Sequence, residues 1–352
     1  MSTADGGSGD LLVMDEPASP DPEPTPVDGK RRKRLMIALA ILGVLLVLLG
    51  AIFAWYLITR KPLSHLPGIN TWASPTYKTS IYGVDQPIGV ALSVDGQHVY
   101  VTQTGGERTT LELDKTGNLL ATLQPPKSTG AGHVPVYVAV NPTNGDVYVS
   151  DRMALAIYVY SADGTYLRTF KPSGTVGNWA PLGLAFDKDG KLYVTDVGGK
   201  THRVLVFDAS GTLQRTLTPT DLALSFPNGV AVDPAGNVIV TDGNNGRLLA
   251  FDSSGKVVAS VNRGIGNGDL GMPRGVAVDP DGRLYVVDTT NQEMHVYKLG
   301  DPGSNKVDFL GRFGDEGVQD GQFEYPNGIA VDGRSDIYIT DRENGRVQVW
   351  SP

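Results

Sequence analysis

The sequence predicts an all-β domain, a six-bladed β-propeller of four-stranded blades, preceded by a single transmembrane helix. Three observations predict it. A phrase led by proline returns six times, with successive prolines 48, 46, 46, 46 and 53 residues apart. A second β-branched and aromatic run follows each phrase, its last residue 15 or 16 positions after the proline. Ahead of both, residues 35–59 form a charge-free stretch of 25 residues, mostly apolar. Self-similarity at a period near 46 marks stacked units that each lack a core of their own.

From the N-terminus, residues 1–34 read as a disordered tail ending in a basic run. Residues 1–29 are rich in Asp, Glu, Pro, Gly and Ser and cannot bury enough surface to offset the entropy of ordering. Residues 30–34, Lys-Arg-Arg-Lys-Arg, place five positive charges directly before the apolar run, against Arg60 and Lys61 after it. The positive flank stays in the cytoplasm, so the chain beyond the helix is expected outside the cell membrane, in single-pass topology. Residues 35–59 exceed the h-region of a cleavable signal peptide and can cross a hydrocarbon core of about 30 Å, which makes membrane lipid their expected partner. Residues 60–75 read as a juxtamembrane linker.

Residues 76–352 hold the repeats. The phrase runs Pro87-Ile-Gly-Val-Ala-Leu, Pro135-Val-Tyr-Val-Ala-Val, Pro181-Leu-Gly-Leu-Ala-Phe, Pro227-Asn-Gly-Val-Ala-Val, Pro273-Arg-Gly-Val-Ala-Val and Pro326-Asn-Gly-Ile-Ala-Val. The second runs end at Gln103, Asp151, Asp196, Asp242, Asp288 and Asp341, and turns such as Asp187-Lys-Asp-Gly join the pair into a hairpin. Third and fourth runs, for example Val204-Leu-Val-Phe and Thr212-Leu-Gln-Arg-Thr-Leu, complete four strands per unit, the content of a propeller blade. The sixth unit stops after its third run. Residues 76–82 match a fourth run, so they are expected to supply the outer strand of blade six and close the ring.

These residues carry a family resemblance. The run Phe313-Gly-Asp-Glu-Gly-Val-Gln-Asp-Gly-Gln-Phe-Glu-Tyr-Pro-Asn-Gly-Ile-Ala-Val-Asp332 resembles an NHL repeat, and Pro227 to Phe251 matches almost as well. Units one and two depart from the pattern, with Gln103 in place of Asp and Tyr137 in place of Gly. The resemblance implies the propeller fold; the family includes binding scaffolds, RNA-binding modules and a few enzymes, so it does not choose among activities.

Composition narrows that choice. The net charge of −8 belongs wholly to the part after residue 61, which carries 23 basic and 31 acidic side chains. An acidic domain is a poor partner for a phosphate backbone, so no nucleic acid is expected. With no cysteine, the chain has no disulfide, thiolate nucleophile or Cys metal site. The four propeller histidines, His98, His133, His202 and His295, fall at four different blade positions, unlike the convergent set a zinc-dependent lyase of the family would need.

The recurrent Asp and the Asn-Gly-Arg that follows it in blades four and six read as structural, a carboxylate satisfying turn amides and pairing with Arg247 or Arg346. Candidate site residues come instead from positions where the repeats differ. The residue after each proline reads Ile88, Val136, Leu182, Asn228, Arg274, Asn327, an apolar half followed by a polar half. With Trp179 and Tyr137, the polar residues Asn228, Arg274 and Asn327 are the expected ligand-binding set at the channel mouth, Tyr137 also reading as core filling. Two residues before the proline, Glu324, Asp85 and His133 fall on consecutive blades, a set that could hold a divalent metal; no other cofactor is expected. The insertions at 127–134 and 300–306 are candidate contact loops. The sequence favours a membrane-tethered binding, scaffold or sensor module for a protein, peptide or envelope component over an enzyme. An extracytoplasmic metal-dependent lyase or lactonase-like hydrolase is the alternative.

Overall fold

The computed structural model describes residues 27–59, 73–126, 132–174, 176–221 and 223–352. The tail as far as residue 26, most of the linker and residues 127–131 of the first insertion lie outside the described residues. Two compact units are present, one holding the helix and one holding the repeats.

The helix spans Val27–Thr59 and takes in the basic run, which the sequence reading assigned to the tail. Lys and Arg are good helix formers, and no proline follows Pro26 until the helix has ended, so nothing stops the helix at the first apolar residue. Its stretch Arg31–Ala54 is long and apolar enough to cross a membrane. At about 1.5 Å per residue it outreaches the roughly 30 Å hydrocarbon core.

The second unit is a ring of six four-stranded antiparallel sheets. Innermost strands are Pro87–Leu92, Pro135–Val140, Pro181–Phe186, Pro227–Val232, Pro273–Val278 and Pro326–Val331, each against the next and the last against the first. Second strands run His98–Gln103, Val147–Asp151, Leu192–Asp196, Val238–Asp242, Arg283–Asp288 and Ile337–Asp341. The expected closure is present. Thr76–Tyr82 pairs antiparallel with Arg346–Ser351 as the outer strand of blade six, Tyr77 opposite Trp350 and Ile81 opposite Val347.

The apolar core lies between blades. Ile81, Val99 and Val101 from the start of the ring pack with Tyr338, Val347 and Val349 from its end, and every other junction has a comparable cluster. A blade alone would leave both faces wet. The units therefore stabilise one another, each fully buried aliphatic or aromatic side chain contributing about 1.5–3 kcal/mol.

A hydroxyl in five of the six second strands ties neighbouring inner strands at one fixed point. Thr102 Oγ1 accepts from Gly89 N at 2.7 Å and donates to the Val136 carbonyl at 2.9 Å. Ser150 donates to the Leu182 carbonyl, Thr195 to that of Asn228 and Thr241 to that of Arg274. Thr340 donates to the Ile88 carbonyl at 2.9 Å and so staples the seam where the ring closes. Blade five has Val287 at this position and lacks the staple; Thr289, two residues on, donates to the Pro326 carbonyl instead. Glycine in the phrase follows from the same approach, since a Cβ on Gly89 would lie 2.7 Å from the Val136 carbonyl oxygen. Every stapled carbonyl belongs to the residue after a proline. Its backbone is thus fixed while its side chain is left to vary.

Candidate functional site

The recurrent carboxylates are structural, as their repetition suggests. Asp341 is fully buried and accepts from Glu324 N at 2.7 Å, Arg346 Nε at 2.8 Å, and Asn344 Nδ2 and Gln348 Nε2 at 2.9 Å. Arg346 also donates to the Gln319 and Gln322 carbonyls, which pins the loop ahead of the proline to the blade. Arg247 makes the same link from Asp242 to the Ala223 carbonyl. Arg203, unremarked in the sequence, repeats it from Asp196 to the Asn178 carbonyl. In blade one Gln103 stands in, its Oε1 accepting from Asp85 N at 2.8 Å. The Asp-x-Asp-Gly segments are hairpin turns, with Asp187 Oδ1 accepting from the amides of Asp189 and Lys191.

At the proline end of the channel a cavity of about 360 Å³ opens. The structure brings Ile88, Val136, Leu182, Asn228, Arg274 and Asn327 to its wall together. Asn228 and Asn327 are buried, and each amide donates back to the carbonyl two residues earlier, at 3.1 and 2.9 Å. Tyr137 lines this cavity and also the larger one of about 550 Å³ at the opposite end, so its ring stands in the channel between them. The missing glycine of blade two is the cause, since its side chain has only the lumen to enter. Burial pushes the Tyr137 phenol up to about 12, against a smaller downward pull from the Arg274 charge.

The remaining candidates lie elsewhere. Trp179 packs edge-on against Phe207, ring centroids 5.9 Å apart, at the junction of blades two and three, and does not line the cavity. His133 Nδ1 sits 3.1 Å from Asp151 Oδ2, and the backbone amides of Glu324 and Asp85 serve the structural acceptors Asp341 and Gln103. The structure does not bring Glu324, Asp85 and His133 into one group: among the described residues no cluster of three or more His, Asp or Glu could hold a metal ion. A zinc centre therefore does not fit the described side chains. The physical reason is register. Next to the proline, Phe226 and Tyr325 take a left-handed backbone (φ 56° and 52°) and line the cavity, whereas the preceding residue gives its amide to the blade.

Sequence reasoning missed a second column, the residue after the recurrent Asp or Gln. It reads Thr104, Arg152, Val197, Gly243, Thr289, Arg342 round the ring, and Thr104, Arg152, Thr289 and Arg342 line the cavity. Arginines from blades two, five and six thus line the mouth. No carboxylate is among the described lining residues.

A model of the NHL repeat matches residues 179–207, 224–251, 270–297 and 323–350, which are blades three to six. The chain is an NHL-repeat β-propeller. Over 92 residues, 24% of the chain, it is 36% identical to a probable peptidyl-alpha-hydroxyglycine alpha-amidating lyase of Caenorhabditis elegans. Over 169 residues, 42% of the chain, it is 29% identical to the protein brain tumor of Drosophila melanogaster. Those matches span 26% and 16% of the relatives' own lengths. Among solved structures, virginiamycin B lyase from Staphylococcus aureus superposes on 79% of the chain and 100% of its own length, with a TM-score of 0.52 and 14% identity, a likeness of fold alone. Two of these three similar proteins are named as lyases.

Proposed function

We propose that this NHL propeller is a membrane-tethered binding module, held outside the cell by its N-terminal helix, which recognises its ligand at the proline-end channel mouth. The observation that carries the reading is the composition of that mouth. Its backbone is stapled alike in five of the six blades, yet its side chains divide into an apolar arc, Ile88, Val136 and Leu182, and a polar arc, Asn228, Arg274 and Asn327. An apolar pocket with a few convergent polar groups is the usual form of a ligand site. A small molecule or a short peptide end suits a cavity of about 360 Å³. The tether rests on the length of the apolar helix and on the excess of Lys and Arg at its N-terminal end.

The test is capture of small molecules and peptides from envelope extracts by the full chain in detergent, read by mass spectrometry. A ligand retained by the wild type and lost from an Asn228→Ala/Asn327→Ala variant supports the reading. Retention unchanged by those substitutions places binding elsewhere and overturns it. Topology can be read separately because the chain has no cysteine of its own. A single Cys placed at the exposed Ser304 should react with a membrane-impermeant maleimide in intact cells. Reaction only after lysis would put the propeller inside.

The lyase reading rests on the 36% identical stretch. Turnover of a peptidyl-hydroxyglycine by the purified chain, abolished by Tyr137→Phe or Arg274→Met, would favour it over simple binding.

A further inference from the structure

We infer that the group recognised at this mouth is an organic carboxylate, with Arg274 as its primary contact, Arg152 and Arg342 lining the same cavity, and an apolar body laid on Ile88, Val136 and Leu182. The inference rests on the ligand-binding reading above and deepens it.

The first support is charge. The part of the chain after residue 61 carries 31 acidic and 23 basic side chains, yet the described wall of this cavity holds three arginines and no carboxylate, and of the three Arg342 is paired with an acidic side chain outside the wall, Glu343. In an acidic protein such a concavity focuses positive potential on one spot. The second is unmet hydrogen bonding. Elsewhere in the ring Arg203, Arg247 and Arg346 are each held by a buried Asp at 2.7–2.9 Å. Among the described residues Arg274 has no such partner. Its Nη2 lies 3.6 Å from the weak acceptor Met272 Sδ, and its Nε is buried without any acceptor. Arg342 pairs through Nη1 with Glu343 at 2.7 Å and reaches Gln86 through Nη2 at 3.4 Å, while its Nε too is buried and unsatisfied. Arg152 stacks its guanidinium over the Phe226 ring at 5.6 Å, which leaves its N–H edge available.

A buried donor without a protein acceptor costs stability unless a water or a ligand supplies the acceptor. The guanidinium fork matches the two oxygens of a carboxylate, and the water-poor setting strengthens the pair. The apolar arc opposite selects against small inorganic anions, which would leave it wet. Hence a carboxylate with an aliphatic or aromatic body, such as an acyl amino acid or a peptide C-terminus, fits better than phosphate or chloride.

The experiment uses the full chain in detergent micelles and a series of N-acetyl amino acids (leucine, valine, phenylalanine), each paired with its uncharged carboxamide. Inorganic phosphate and acetate serve as further arms, all read by isothermal titration. The acids should bind, and the amides should bind about 10- to 100-fold more weakly, the span of one or two charge-assisted hydrogen bonds. Arg274→Met should erase the difference between acid and amide. It should also raise the melting temperature of the unliganded protein, because it removes an unpartnered buried donor; an Arg274 with a structural role would lower it. Arg274→Lys, which keeps the charge but loses the fork, should bind acids weakly and checks that a loss in the Met variant is not misfolding. Acid and amide bound equally would overturn the carboxylate while keeping the mouth as a ligand site. Binding of phosphate as tight as that of the acids would overturn the amphipathic carboxylate in favour of a general anion site. No binding in any arm would overturn both the inference and the reading beneath it.

Discussion

Replacing Thr340 by Val tests the claim that the ring is stitched by a hydroxyl in five of its six blades. Thr340 Oγ1 is fully buried, accepts from Gly328 N at 2.6 Å and donates to the Ile88 carbonyl at 2.9 Å, across the junction of blades six and one. Valine has the same shape, so no cavity forms and only the hydrogen bonds are lost. Two buried backbone groups left unmet cost about 1–3 kcal/mol each, and incomplete loss brings the expected total to about 2–4 kcal/mol. For a domain of this size each kcal/mol moves the melting temperature by about 2–4 °C, so a fall of roughly 5–10 °C is expected in thermal unfolding followed by circular dichroism. Blade five supplies the reciprocal test. Val287 occupies the equivalent position and is buried, so Val287→Thr should gain about 0.5–1.5 kcal/mol by reaching Gly275 N and the Asn327 carbonyl. A Thr340→Val protein that melts within about 1 °C of the wild type would refute the staple as a stabilising device.

Further expectations follow from the same contacts. Asp341→Ala strips a buried Arg346 of its carboxylate and should destabilise by about 3–5 kcal/mol in denaturant titration, whereas removing the exposed Lys188–Asp189 pair should change little. Burial raises the phenols of Tyr137 and Tyr193 to about 12, above their ordinary value of 10.0. The neutral form is therefore favoured by folding, and their contribution is complete below about pH 10 and lost as pH rises through about 12. Thermal stability measured from pH 8 to 12 should fall only over that upper range; a fall already complete by pH 9 would contradict it. Tyr137→Ala should join the two channel cavities and quicken solvent exchange along the inner strands with little loss of stability. A cost as large as that of Asp341→Ala would mark Tyr137 as core. Deleting residues 76–82 should abolish cooperative unfolding, because Ile81 and the strand opposite Arg346–Ser351 go with it.

The repeats made the ring legible because each phrase specifies the same backbone in every blade, down to the borrowed strand that closes blade six. They also made half of the mouth legible, since the residue after each proline lies on a strand whose carbonyl is stapled. Glu324, Asp85 and His133 were misplaced for a reason that repeats conceal. At these positions Asp85 and Glu324 give their backbone amides to Gln103 and Asp341, while the His133 ring sits against Asp151. Arg152 and Arg342 were overlooked because each follows a conspicuous structural residue, Asp151 or Asp341. Only the strand geometry shows that the next side chain turns into the cavity. The column Thr104, Arg152, Val197, Gly243, Thr289, Arg342 carried the signal in its variety, as the proline column did.

Hydrogen–deuterium exchange on the full chain, with and without a saturating carboxylate ligand, tests the central claim most directly, because it maps binding onto one end of the channel without any substitution. Protection confined to the proline-end segments around 86–88, 152, 225–228, 272–274 and 325–327 is the predicted result. Protection confined instead to the opposite turns at 187–190, 233–236 and 279–282 would contradict it.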